Sequence, residues 1–246
     1  MKQPNSIERS RQESSELIPT KSKLLVWVVF ALILALVSGG TAAAIAVVEL
    51  IELATAHAHQ SSLPFMPVTY EHTVSFAAMI LMVLGGLIGT LAFSGSLIAF
   101  AKLQGWMTDV ISFRGQRPLS VLAFLATLNL GGLLVYQTEM IPGTTIIFAA
   151  NFPIEILLGF FILALVLGVM ITKPIGRSDM PVVISLINVL TGLAVGFEGF
   201  ALGSAAIMIA GAVIASTGFL LTQLIAKAMN RTLSNVLFSH FGSGAA

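Results

Sequence analysis

The sequence predicts an all-α membrane protein, a bundle of about six transmembrane helices with both termini in the cytoplasm. Three observations lead there. Of the 246 residues, 57% are hydrophobic and only 9% are charged, and the mean hydropathy is +0.98. Soluble domains also carry nearly half apolar residues, but about a quarter of their residues are charged, so the shortage of charge is the sharper signal. The apolar residues also gather into long stretches, and Lys and Arg fall at one side of them.

The stretches run from Leu24 to Val48, Thr73 to Ala101, Leu119 to Tyr136, Ile154 to Thr172, Met180 to Leu202 and Ser204 to Ala226. Each is near the ~20 residues that a helix needs to cross ~30 Å of hydrocarbon. An open sheet cannot satisfy its edges in lipid, and a barrel would show strict alternation, which is absent. The first stretch also reads as a signal-peptide core before the small residues at 38–44. Its long polar leader and the continuation of the apolar run to Val48 speak against that. The segment Ile141 to Pro153 reads as an external loop, a re-entrant segment or extra turns of the fourth helix.

All basic residues lie on one side. Lys2, Arg9, Arg11, Lys21 and Lys23 precede the first span, and Lys102, Arg114 and Arg117 lie in the second connection. Lys173 and Arg177 lie in the fourth, and Lys227 and Arg231 follow the last span. The positive-inside bias therefore assigns residues 1–23 to a polar cytoplasmic tail, 24–226 to the transmembrane helical domain and 227–246 to a cytoplasmic hinge or tail. A net charge of +1 gives no basic field that would attract nucleic acid, so the lipid bilayer is the expected surroundings. With no cysteine, disulfides, thiolate metal sites and cysteine nucleophiles are excluded, and no metal site is expected.

Small residues recur at helical spacing. Gly85 and Gly89 form GxxxG on the second span, with Ser96 further on. Gly211, Ala215, Gly218 and Thr222 make a stripe on the sixth. Such faces let backbones approach, so these two spans are the expected inner helices. The glycines at 85, 86 and 89 sit inside an apolar helix, and no phosphate-cradling motif is present, so no cofactor is expected on this chain.

The fifth span carries the candidate site. It opens at Asp179, whose carboxylate suits a helix start, with Pro181 in the first turn. Asn188, Thr191 and Glu198 follow within about 80° of one another, so they can face one polar seam. Glu198 lies about 28 Å past Asp179, toward the outer leaflet, and is the only titratable group expected within a span. An intramembrane carboxylate is costly and marks a functional site, although at that depth it also fits an interfacial residue reaching the headgroups. Glu155 is expected to face water, and His57, His59, His72 and His240 lie in connections or the tail, with no chelating spacing.

The run Asp179-Met180-Pro181-Val182-Val183-Ile184-Ser185-Leu186-Ile187-Asn188 carries a resemblance, as do Thr191-Gly192, Gly199-Phe200, Gly211-Ala212, Gly218 and Lys227-Ala228-Met229-Asn230-Arg231. So do Leu84-Gly85-Gly86-Leu87-Ile88-Gly89, Phe93-Ser94-Gly95-Ser96 and Ala99-Phe100-Ala101-Lys102-Leu103. Over about 84–105 and 176–242 the chain resembles the membrane domain of the beta subunit of proton-translocating NAD(P) transhydrogenase. The resemblance implies a multi-pass protein of the bacterial inner membrane, part of an enzyme complex that couples hydride transfer between NAD(H) and NADP(H) to proton translocation. NAD and NADP would be held by partner subunits or domains, and the complex would be a homodimer. Asp179 would couple the cytoplasmic mouth to the NADP(H) domain, and Asn188 would lie on the proton path.

The same resemblance places the NADP(H) domain about where the sequence ends, and further spans ahead of the first. Near Leu36, where the family carries a His or Asn on the proton path, this sequence is apolar, and Glu198 is the group best placed to substitute. Two other readings stand beside this one: a noncatalytic assembly protein or degenerate paralogue, and a small-solute carrier. The lack of basic residues within the spans and of an inverted repeat disfavours the carrier.

The charge bias makes a direct prediction. With no native cysteine, Ser61→Cys and Ser234→Cys each supply a single thiol. An impermeant maleimide added to intact cells should label the first and leave the second unlabelled, and labelling at 234 would overturn the orientation.

Overall fold

The computed structural model describes residues 37, 39–55, 74–107, 115–140, 146–150, 153–230 and 232. The helices are α1 (39–55), α2 (Phe76–Leu103), α3 (Gln116–Tyr136), α4 (Ile154–Thr172), α5 (Met180–Ala201) and α6 (Ala205–Ala228). A 3-10 turn at Arg177–Asp179 leads into α5. Five of these helices are long and apolar enough to cross a membrane. Most of the predicted first span lies outside the described residues. The part that is described continues as helix seven residues beyond the expected end at Val48, through Glu49 and Glu52 to Thr55.

The predicted boundaries of the later spans hold to within a few residues, because long apolar runs bounded by Gly, Pro or charge leave little choice. The connections differ. Three short strands, β1 (Val74–Ser75), β2 (Thr138–Met140) and β3 (Ile146–Ala150), form an antiparallel sheet in the order β1-β3-β2. Val74 pairs with Ile147 and Thr138 with Ala150, and the register shifts between Glu139 and Met140. Part of the segment expected as loop or extra helical turns is therefore strand. Ile146, Ile147 and Phe148 are strong strand formers, and pairing at the helix ends satisfies backbone groups that a loose connection would leave to the interface.

Across the bundle, α6 packs on α5, α5 on α2, α2 on α4 and α4 on α3. The α1 helix lies along α2, where Gly86 faces Ala46 and Gly89 faces Ala42 and Ala43. Leu50 and Leu53 of α1 join Met79, Met82, Leu134, Leu157 and Phe160 in the main apolar core. Large apolar side chains on α3, α4 and α6, among them Leu122, Leu125, Ile162, Ile209 and Leu224, point outward, as suits a surface meeting lipid.

Of the two expected inner helices only α2 is one; the other is α5. On α6 little beyond Gly211, Ala215, Gly218, Thr222 and Ala226 is buried, and the rest of its surface is open. A small-residue stripe reports one close helix contact and says nothing about the helix's other faces, and here the contact is with α5. Gly192 and Gly199 of α5 meet the backbone of α6 at Ala215 and Met208, and Gly211 of α6 meets Gly196. The hydroxyls of Ser185 and Thr222 stand 2.9 Å apart across this interface and share the Gly218 carbonyl, at 3.4 and 2.7 Å. Between the two helices, Gly203 takes φ +64°, and the Ser204 side chain accepts the Ile207 amide, which closes the turn in three residues.

The α5–α6 contact predicts unequal effects for two glycine substitutions. A methyl at Gly211 meets the Gly196 backbone, whereas one at Gly132 meets nothing within 4 Å. Gly211→Ala should destabilise the detergent-solubilised chain by about 1–3 kcal/mol. Gly132→Ala should leave thermal unfolding unchanged or slightly later, because alanine favours helix. Equal effects would show that the close approach does not hold the pair together.

Candidate functional site

Two buried acidic groups lie at opposite ends of α5. Glu198 sits one turn before the C-terminus of the helix and is fully buried. Its side chain points at α2 and fills the space beside Gly85, so closely that a methyl there would collide with its carboxylate. Neither carboxylate oxygen has a hydrogen-bond partner among the described residues. The GxxxG face on α2 thus does two jobs. Gly85 leaves room for a carboxylate, and Gly86 and Gly89 leave room for the α1 backbone and its alanines. The reading of Glu198 as an interfacial side chain reaching outward does not fit this placement, because the carboxylate faces inward between helices.

Asp179 stands at the other end as the residue preceding α5, and it too is fully buried. The sequence places it at a surface mouth; the fold encloses it near Ile175 and Met180, which are equally buried. Along the ~1.5 Å rise of a helix, the two carboxylates are separated by about 28 Å.

The seam expected between them is not continuous. Thr191 is buried on the same side of α5 as Glu198, but Asn188 is exposed. At ~100° per residue, Asn188 falls between the face of α5 that packs on α2 and the face that packs on α6, and neither neighbour covers it. Angular proximity on a helical wheel allowed a shared seam; the positions of the two neighbouring helices divide it. Glu155 is exposed, as expected. The four histidines and Leu36 lie outside the described residues. No three His, Cys, Asp or Glu side chains converge as metal ligands among the described residues.

Two residues were not singled out from the sequence as site residues. Lys102, which served there only as a marker of topology, is buried at the end of α2. Its ammonium donates to the carbonyls of Thr172 at 3.2 Å, Ile175 at 2.6 Å, and Lys173. These are carbonyls at and just past the C-terminus of α4, which the helix itself leaves unpaired. Gln116, at the start of α3, donates to a fourth, Met170, at 3.1 Å. The connection leading to Asp179 is therefore pinned by α2. The second residue is Glu49, hidden from the sequence reading because α1 was expected to end one residue earlier. It lies one turn past Ala46, which faces Gly86 beside the seat of Glu198.

A proton is the ligand that this chemistry suits best. A carboxylate excluded from water without donors around it binds protons or stays costly, whereas an amide such as Asn188 only orients a neighbour. Comparison with known proteins supplies a family. A family model described as NAD(P) transhydrogenase beta subunit matches residues 29–246. The NAD(P) transhydrogenase subunit beta of Rhodospirillum rubrum is 39% identical over 167 residues, which cover 68% of this chain and 33% of that protein. The subunit from a named strain of the same organism gives the same figures. The chain spans about a third of the length of these curated relatives.

The Lys102 clamp can be tested by itself. Lys102→Met keeps the apolar stem but leaves the carbonyls at the end of α4 without their donor, at a cost of about 1–3 kcal/mol. Hydrogen exchange should quicken at residues 173–179 while α6 keeps its protection. Unchanged exchange in that connection would show that the lysine does not pin it.

Proposed function

The chain belongs to the NAD(P) transhydrogenase beta-subunit family, and on that premise we propose that it is the membrane, proton-channel part of a proton-translocating NAD(P)+ transhydrogenase. Hydride passes between NAD(H) and NADP(H) on partner subunits or domains, and this chain links that transfer to proton movement across a bacterial plasma membrane. The observation that carries the reading is Glu198, a fully buried carboxylate without a hydrogen-bond partner among the described residues, in a helix long and apolar enough to cross a membrane. Removing such a group from water is expensive, and a group kept at that cost is a candidate for holding a charge carrier in transit.

Asp179 takes the other role. It is buried at the end of α5 that the charge bias assigns to the cytoplasm, beside the connection clamped by Lys102. A nucleotide-binding partner docked there would sense the position of this connection, and α5 would carry it toward Glu198. The absence of a phosphate-cradling sequence supports placing NAD and NADP on partners. A second reading has one observation in its favour. Asn188 is exposed and lies off the Glu198 face, as expected of a paralogue that kept the helix packing and lost the coupling.

The deciding experiment follows pH-gradient formation during NADH-driven NADP+ reduction, in vesicles containing this chain assembled with its partners. Glu198→Gln should lower pumping about a hundredfold, in line with loss of a positioned acid–base group, and leave the chain folded because size and shape are kept. Asn188→Leu should also stop pumping if that amide orients the transferred proton. Asp179→Asn should instead weaken the link between nucleotide occupancy and pumping. Pumping unchanged by Glu198→Gln would remove that residue from the path. Failure of the wild-type chain to pump with assembled partners would favour the paralogue.

A further inference from the structure

The junction of α1, α2 and α5 holds more than one carboxylate. Gly85 seats the Glu198 side chain, and Gly86, the next residue on α2, faces Ala46 of α1. Glu49 follows Ala46 by three residues, a spacing that returns to the same helix face about one turn along. Its neighbour Leu50 is buried in the apolar core with Met79 and Met82, at the same level of α2. Glu49 is thereby carried to the height of Gly85 and is half-buried, whereas Glu52 is exposed.

We propose that Glu49 and Glu198 form one proton-binding site, in which the two carboxylates jointly hold a single proton and Glu49 is the member that exchanges it with water. The proposal deepens the reading of this chain as a proton channel and rests on it for the site's purpose. The geometry supports it independently of family. Glu198 has no exposed surface and no hydrogen-bond donor among the described residues, so a proton must reach it through a neighbour. Glu49 stands one turn past Ala46, whose Cβ meets Gly86 beside the Glu198 seat, and it is partly open. In the transfer, the O–H bond of the Glu49 carboxyl breaks as an O–H bond forms on the Glu198 carboxylate. Glu49 takes its next proton from water once the first has left the pair.

The charges of the described parts of α2, α4 and α6 lie away from the Gly85 level. Among the described residues, α2 has no charged side chain before Lys102, about 25 Å from Gly85 along the helix. The α6 helix has none before Lys227, and α4 offers only the exposed Glu155. Two carboxylates brought together in a poorly solvated place favour sharing one proton. By the charge bias, the junction lies in the outer half of the membrane, so the site is an exit or entry station opposite Asp179.

The test reads proton binding directly rather than pumping. Infrared difference spectra between acidic and alkaline buffer are recorded for the full chain in lipid vesicles, following the carbonyl stretch of a protonated, water-excluded carboxyl. Recorded in an Asp179→Asn background, so that the other buried acid adds no signal, the otherwise wild-type chain should show one such titrating band, and Glu198→Gln should remove it. Glu49→Gln should move its midpoint by about one pH unit, a tenfold change in proton affinity, and Glu49→Asp should largely restore it. A band that titrates identically in wild type and Glu49→Gln overturns the shared site, as does a band that survives Glu198→Gln. Gly85→Ala, which crowds the carboxylate out of its notch, should alter the band without changing any titratable group, so the test stands even if Glu198→Gln misfolds. A band that behaves as expected in a chain that does not pump with its partners upholds the site and rejects its role in translocation.

Discussion

In hydrocarbon, helices gain little from hiding apolar surface, and what holds two of them together is contact between backbones and a few polar bonds. The α5 helix makes such contact on two faces at once. Toward α6 it offers Gly192 and Gly199, and Gly211 answers from the other side. Toward α2 the arrangement is reversed, with the glycine on the partner and the larger group, Glu198, on α5. The position of the carboxylate depends on that double approach.

The two ends of α2 serve different purposes. One end is a row of glycines that lets neighbours in, and the other ends in an ammonium that ties down the carbonyls of α4. A lysine used this way contributes through geometry, since three carbonyls at the end of α4 converge on one donor group. The same α2 thus touches the seat of Glu198 and the connection that leads to Asp179.

Most of the helical scaffold was legible in the sequence. Five spans could be placed to within a few residues because a bilayer demands about 20 apolar residues and tolerates few charges. Glu198, Asp179 and the glycine faces could be chosen as special by the same logic. What could not be read was which neighbour each face meets. Asn188 shares a sector with Thr191 and Glu198, yet lies in the open notch between two packed faces, a fact set by the placement of α2 and α6. Glu49 carries no sequence signal because the apolar run ends at Val48, whereas α1 runs on through it. Lys102 was legible as a basic residue but not as a clamp, because its partners are backbone carbonyls some 70 residues away. The small sheet was overlooked because its strands are only two to five residues long, too short for a periodic signal.

The three-residue turn at Gly203 bears on how the protein is made. Leu202, Gly203 and Ser204 leave no slack for α5 to cross the bilayer while α6 waits outside, so the two helices enter as a hairpin whose glycine contact forms during insertion. Because α2 precedes α5 in the chain, the notch at Gly85 is synthesised before Glu198. The costliest side chain of the bundle is inserted beside a place built to receive it.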